Sequence, residues 1–534
     1  VTVISNSTML SLTLLAFALS LAKAAAFVPS VVEVGTLPVR DAKYQRPASS
    51  LWSATTTTTT IEPPFEVLLE ADPAVEAPLP PSFTECPFSG IMAGPKSFYR
   101  QASDALQAPQ LFSFLHRDKP TVEVRGGKLV RDVLRQEFTS LSSNAVPGIS
   151  QKVCGLKSLR TARDKDEHRA LRQLVGVPLS PAAVAKSIPR LQAIGRARIR
   201  EQLDRNDPEV IIAWDWCQAM ALDVVWQQIL GLDLETPQEI AVFHRETHTW
   251  LKGMWYKEGS PEMEATMKAR IYLRAAIDKK ISQLLQAGES DGSTVGGLVF
   301  ATMDDVEDSS SSTHRNRTLL REEVIDNCLV LILAGTETTA TNVANALLLM
   351  GLHSDKWQKV IEEQETIVGQ HGDALTPEAL KSCPYLEAVI LEMMRILPVT
   401  LVSKRVTQET IVVDGTQIPK GWGVSYNLYL THQQDASMEE GHMDFLNGFR
   451  PERWLQTETR PGKDYLPFGA GPRRCPGDVL AMTEMKTFLS LLAREMPRFE
   501  LVDMEYDPNR PVDEQIQWNK VSSLMTPEDG VRIR

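Results

Sequence analysis

One stretch limits the fold of this chain more than any other: residues 466–477, which read Leu-Pro-Phe-Gly-Ala-Gly-Pro-Arg-Arg-Cys-Pro-Gly. Phe468, Gly471, Arg473, Cys475 and Gly477 fall at offsets that suit a thiolate ligand to a haem iron. Such a ligand needs a tight turn, so that amide N–H groups point at the sulfur and moderate its charge. It needs glycines, which take the φ angles of the turn at no steric cost and let a porphyrin lie close to the backbone. It also needs an aromatic wall, because burial and hydrogen bonding set the potential of the iron. Phe468, Gly471 and Gly477 meet these needs, and Arg473 can pair with a haem propionate. A buried structural cysteine beside a Gly-rich loop would account for Cys475, but not for the four other matches.

The rest of the chain can supply the shell. Its 534 residues are 43% hydrophobic, enough for a large core. Length alone, at ~150 residues per domain, would allow three domains. A net charge of −12 and a pI near 5.4 exclude a nucleic-acid binder. Six cysteines (Cys86, Cys154, Cys217, Cys328, Cys383 and Cys475) are scattered with no C-x-x-C pair, which argues against zinc and against a disulfide scaffold. No fixed-period repeat is present, which disfavours a solenoid.

The first residues read as a leader. Residues 9–21 (MLSLTLLAFALSL) are apolar but short of the ~20 needed to span a bilayer. Small residues follow at 22–26. Residues 22–60 then hold four basic and two acidic side chains among many Ser and Thr. The junction Ala25-Ala26-Phe27-Val28-Pro29 is similar to the phenylalanine-containing cleavage site of bipartite plastid leaders. The expected division is a signal-peptide-like leader (1–26), a transit-like and Pro-rich linker (27–82) and a catalytic domain (83–534). A membrane anchor to the endoplasmic reticulum is the alternative, and peripheral membrane contact stays open. Residues before about 82 are expected to be largely disordered or absent from the mature protein.

Downstream, residues 120–125 alternate as a strand, Gly126-Gly127 turns the chain, and 128–138 has helical period. Residues 140–159 read as a loop-rich stretch, with Gly148 and Gly155. His168 and Arg172 stand four apart on one helix face. Residues 180–285 read as amphipathic helices whose tryptophans (214, 216, 226, 250, 255) belong to core or cavity wall. Residues 288–317 read as a mobile polar loop. Residues 319–350 carry the longest helical pattern, with an acidic start suited to the positive end of a helix. Its middle holds Ala334, Gly335, Glu337 and Thr338. Thr338 can bond back to the Ala334 carbonyl, which bends a helix and frees a site for water. Glu392 and Arg395 lie three apart on a helix over 385–396, and Phe449-Arg-Pro-Glu-Arg453-Trp454 precedes the cysteine loop. Residues 410–426 read as strand, turn, strand, and 476–496 as a helix.

In this order, the motifs resemble the cytochrome P-450 superfamily over residues 83–534. Lys119-Pro-Thr-Val-Glu-Val with Val130-Arg-Asp-Val-Leu is most similar to the retinoic-acid hydroxylases and their cyanobacterial relatives. Those enzymes have a proline pair after E-x-x-R, where this chain has Leu397-Pro398-Val399. The resemblance implies a mainly α fold with small β-sheets, and haem b held between the long central helix and the cysteine loop with Cys475 as axial thiolate. It implies that Arg473, Arg405, His168 and Arg172 reach propionates and that Phe468, Gly477 and Ala334 line the haem. Glu337 and Thr338 would move protons, Glu392, Arg395 and Arg453 would form a structural charge network, and Thr400, Leu401, Val402 and Met525 would wall the substrate pocket.

The implied function is a monooxygenase that inserts one oxygen atom from O2 into a hydrophobic isoprenoid such as a carotenoid, apocarotenoid, retinoid or sterol. No strand–GxGxxG–helix is present, so electrons are expected from a partner, ferredoxin or an NADPH-dependent reductase. Docking is expected on the basic side near Lys463, Arg473, Arg474 and Lys486. The alternatives are a haem-thiolate isomerase or peroxygenase, against which Glu337-Thr338 argues, and a non-catalytic haem or pigment carrier.

Overall fold

A helix that is apolar on every side can exist in water only at the centre of a protein. In a computed structural model of the chain, α2 (Arg321–Leu352) takes that place: every residue from Thr339 to Met350 is buried. The described residues are 70–83, 95–116, 119–142, 148–204, 210–303, 317–400, 402–435, 438–507, 510–519 and 524–534. The leader-like residues 1–26 lie outside them, as do 27–69. Glu322 and Glu323 occupy the first turn of α2, and Glu323 accepts from the Leu320 amide at 2.8 Å. Helices 213–224 and 261–287 pack along α2. So do α3 (Pro384–Ile396) and α4 (Asp478–Glu495). Among the described residues no helix is long and apolar enough to cross a membrane.

To one side lies a five-stranded sheet. Its strands are β1 (Leu111–His116), β2 (Lys119–Val124), β3 (Leu141–Ser142), β4 (Val402–Thr407) and β5 (Gly423–Asn427), in the order β1-β2-β5-β4-β3. The β2–β5 pair is parallel and the others antiparallel. A separate hairpin, 411–413 with 416–418, turns on Asp414-Gly415, both at positive φ (50° and 75°), as a two-residue Asp-Gly turn requires. The preceding chain is tied to this hairpin: the Asp72 amide donates to Gln417 at 2.8 Å, and the Gln417 amide donates to the Pro78 carbonyl at 2.9 Å.

Three local expectations change. The loop-rich stretch 140–159 holds β3 and the helix Ile149–Cys154. The helix expected over 128–138 spans Gly127–Leu134 and stops. Residues 135–138 turn instead, with Phe138 at φ 73°, and this delivers Glu137 and Phe138 to the site described below. The stretch 288–317, read as a loop, contains the helix Thr294–Phe300, whose Val295 and Leu298 enter the core; residues 304–316 lie outside the described residues.

The region below α2 is organised by Glu392. Its carboxylate accepts from Arg395 Nε and Nη2, Arg453 Nε, Trp454 Nε1 and the Arg450 amide, each at 2.9 Å. Arg395 also donates to the His442 carbonyl at 2.6 Å, and Arg453 to Glu439 at 3.0 Å. His432 extends the network upward. Its Nδ1–H donates to the Arg395 carbonyl (2.9 Å), so Nε2 is the acceptor for the Leu466 amide (3.0 Å). Burial lowers its pKa to about 4, which keeps the ring neutral for this double role. The first residue of the 466–477 stretch is thereby fixed to the end of α3.

Replacing Glu392 by Gln strands two buried guanidinium groups. The expected cost is ~3–5 kcal/mol. It is read as a fall in thermal midpoint with loss of haem uptake, whereas an unchanged midpoint would show that the network is dispensable.

Candidate active site

Residues 466–477 turn through Gly469 and Gly471, both left-handed at φ 71° and 70°. A Cβ on Gly471 would lie 2.9 Å from the Leu134 carbonyl oxygen, so both conformation and space require glycine. Gly477 differs from the expectation. Its φ of −100° is open to any residue, and a Cβ there would meet no protein atom within 4 Å. It keeps a face open rather than making the turn.

The Cys475 amide donates to the Phe468 carbonyl at 3.0 Å, and the Gly477 amide bonds to the Cys475 sulfur. α4 begins at Asp478, so the sulfur also faces the positive end of a helix. Burial and the nearby Asp478 push the thiol up, and the Gly477 bond, Arg474 and Arg172 only partly offset them. Arg172, on α1 (Lys165–Gly176), donates to the Arg474 carbonyl at 2.7 Å. His168, one turn earlier, is buried, and burial with Arg473 and Arg172 nearby lowers its pKa to about 4. Its ring lies 4.9 Å from that of Phe138, and the Arg473 guanidinium lies 4.7 Å from the same ring.

Arg405 and Arg473, expected at the propionates, meet one carboxylate. Glu137 accepts from Arg405 Nε at 2.5 Å and from Arg473 Nε at 2.6 Å. Arg473 also donates to the carbonyls of Leu159 (3.3 Å) and Ala162 (2.5 Å). A guanidinium has five N–H groups, so two of them on Arg473 have no acceptor among the described residues.

Ala334 is exposed in the middle of a largely buried helix, flanked by partly buried residues, which marks an open face on α2. The Thr338 hydroxyl donates to the Ala334 carbonyl at 2.5 Å, the back-bond that the sequence predicts. Glu337 is half-buried, and desolvation raises its carboxyl to about 7, against a small opposing effect of Lys252. Glu484 on α4 is a second such acid: it is fully enclosed, accepts from Thr339 Oγ1 at 2.8 Å, and burial raises it to about 7.

At the proposed pocket wall, Thr400 bridges Leu524, the Met525 amide donates to the Val399 carbonyl at 3.0 Å, and Asn345 of α2 donates to the Met525 carbonyl at 2.9 Å. Met525 and the 397–400 turn are thus brought together, with Met525 itself buried. Val402 opens β4, and Leu401 lies outside the described residues.

Sequence reasoning missed Glu137, His432 and Glu484. Glu484 had a usable signal, since it is an acid on the buried face of an apolar helix nine residues after Cys475. Glu137 and His432 had none.

These residues fit a haem. One sulfur is bonded by an amide and flanked by cations, two arginine N–H groups await an acceptor, and Gly477 and Ala334 leave open faces. Among the described residues no His/Cys/Asp/Glu cluster offers a rival metal site. This arrangement defines a haem-thiolate protein. The chain belongs to the Cytochrome P-450 family, whose signature matches residues 80–529, and it is accordingly a haem-dependent monooxygenase. It is 28% identical over 437 residues to Cytochrome P-450 26B1 of Xenopus tropicalis, covering 78% of each chain. It is 26% identical over 386 residues to Taxoid 7-beta-hydroxylase of Taxus cuspidata, covering 70% of this chain and 72% of that one. The structure of retinoic acid bound cyanobacterial CYP120A1 superimposes with a TM-score of 0.69 at 23% identity, covering 86% of this chain and 99% of the other, which shows the shared fold.

Glu484 supplies a stability test. Its folded pKa of about 7 lies above the ordinary glutamate value near 4.5, so its contribution is full below pH ~4.5 and is lost as pH rises to about 7. Glu484→Gln keeps the acceptor and cannot ionise. Chemical denaturation is expected to show the variant gaining on wild type between pH ~4.5 and about 7 and holding that gain at higher pH, by up to about 3 kcal/mol. Parallel pH profiles for the two proteins would refute a neutral Glu484.

Proposed function

We propose that this enzyme inserts one oxygen atom from O2 into a hydrophobic, elongated isoprenoid, using electrons from a separate protein. The observation that carries the reading is the placement of Glu337 and Thr338 beside the open face of α2 at Ala334. Bound at Cys475, the haem supplies dioxygen activation.

The chain's own residues position the substrate and handle protons and water. Glu337, neutral until about pH 7, holds a proton at its carboxyl where an ionised acid could not. Thr338 is oriented by its bond to the Ala334 carbonyl, with its oxygen lone pairs left to accept from water or from the acid. The turn at 397–400 and the buried Met525 present an apolar wall, which binds by excluding water rather than by polar recognition. An isoprenoid substrate is supported by that wall, by the retinoid-hydroxylase-like residues 119–134 and by the likeness to a taxoid hydroxylase.

The electron donor is proposed to dock below the cysteine loop. There a groove of about 660 Å³ is lined by Phe468, Lys381, Arg474 and Lys486. Arg474 pairs with Asp478 and Lys486 with Glu387, both at 2.5 Å, so its charge is partly compensated. Arg473, expected on this face, turns inward to Glu137. An acidic ferredoxin suits the groove if the leader-like residues direct the protein to a plastid, which import of a fluorescent fusion tests.

Two outcomes are expected. In a ligand screen, carotenoids, apocarotenoids, retinoids or sterols shift the Soret band of the purified enzyme; a response confined to small polar compounds would sink the substrate proposal. Product formed per O2 consumed falls as pH rises through about 7, because Glu337 loses its proton there. Glu337→Gln lowers this ratio and flattens its pH profile, and an unaltered profile would remove Glu337 from the proton path.

A further inference from the structure

Two arginines lie at the edge of the haem site, and each is expected to hold a propionate. The structure shows what holds the arginines. Arg405 comes from β4 and Arg473 from the cysteine loop, and both turn their Nε atoms to the same carboxylate, Glu137, at 2.5 and 2.6 Å. All three side chains are largely buried, with exposures of 6%, 11% and 2% for Arg405, Arg473 and Glu137. Burial and the nearby Arg405 charge lower the Arg473 pKa, and Glu137 opposes both. Two buried guanidinium groups this close repel each other, and in a low-dielectric setting the repulsion is not screened by water.

We propose that Glu137 is a positioning residue for the haem. Its carboxylate clamps both arginines by their Nε atoms. That leaves the terminal nitrogens of Arg473 to serve the loop carbonyls of Leu159 and Ala162 and, through their two remaining N–H groups, a propionate. It also sets the charge. Two cations and one anion give the cluster a net charge of one positive, where the arginines alone would present two. The haem edge therefore meets a cluster of one net positive charge rather than two.

The local backbone supports this role. The helix Gly127–Leu134 ends one turn before Glu137, and Phe138 adopts φ 73°, a conformation a bulky side chain rarely takes. The same turn places the Phe138 ring beneath the Arg473 guanidinium and beside His168. Strained backbone held in place by its surroundings is common where a side chain must be aimed.

The proposal rests on the haem reading, and its test separates the two. Wild type, Glu137→Asp and Glu137→Gln are purified as holoenzymes. Each is read by its reduced, CO-bound spectrum and by its haem midpoint potential. Wild type without a thiolate-type CO spectrum would be a failure of the haem reading itself. Given that spectrum, Glu137→Gln is expected to raise the midpoint potential, because a less compensated positive cluster favours the electron-rich reduced haem. Glu137→Asp, which keeps the charge, is expected to stay near wild type. An unchanged potential in Glu137→Gln with haem fully bound overturns the proposal. If Glu137→Gln takes up no haem, the double variant Glu137→Gln/Arg405→Gln, which restores the net charge, is expected to regain it. A double variant as empty as the single one also overturns the proposal.

Discussion

The carboxylate of Glu392 is wholly enclosed, and much of the lower half of the molecule is arranged to supply it with donors. They come from α3 and from the segment 450–454. A buried ion pair is tolerable only when its remaining lone pairs are also satisfied, so this single acid dictates where those segments lie. The constraint then passes upward. Arg395 fixes His432 through its own carbonyl, and His432 fixes Leu466 through a ring that burial keeps neutral. Cys475 lies nine residues further along the stretch that begins there. The place of the sulfur is thus inherited from a charge network that never touches it.

Acids elsewhere in the site obey the opposite rule. Glu484, which is buried, and Glu337, which is half-buried, bond to no arginine among the described residues, and desolvation raises both to about 7. The chain therefore uses buried carboxylates in two ways. Those shared between arginines, Glu392 and Glu137, hold geometry. Those left without a strong cation hold protons. The distinction comes from neighbours, so residue type alone does not separate the two kinds.

That explains what was legible. The cysteine loop, the acid–alcohol pair on α2 and the E-x-x-R helix are local patterns, because each function needs residues close in sequence. Their positions follow from spacing alone, including the Thr338 back-bond to Ala334. Glu137 and His432 act through partners 336 and 34 residues away, so no local pattern marks them, while Glu484 acts through one 145 residues away and is marked only by its place on the buried face of an apolar helix. The helix over 127–134 ends early for the same reason: residues 135–138 continue the periodic pattern, but tertiary demand for Glu137 at the arginines overrides it. Within 288–317, the polar composition of the flanks concealed the short apolar run of the helix Thr294–Phe300.

The segment 149–162 is held differently from the cysteine loop. The helix Ile149–Cys154 and the turn after it are pinned by groups outside them. Asp326 accepts from the Lys157 amide at 3.0 Å and Asn327 from the Leu159 amide at 2.8 Å, while Arg270 donates to the Val153 carbonyl at 3.0 Å. Arg473 secures the far end at Leu159 and Ala162. Every one of these contacts is to backbone. The path of the segment is set by the start of α2, by the arginine beside the cysteine and by Gly155, where any Cβ would meet the Asp326 carboxylate.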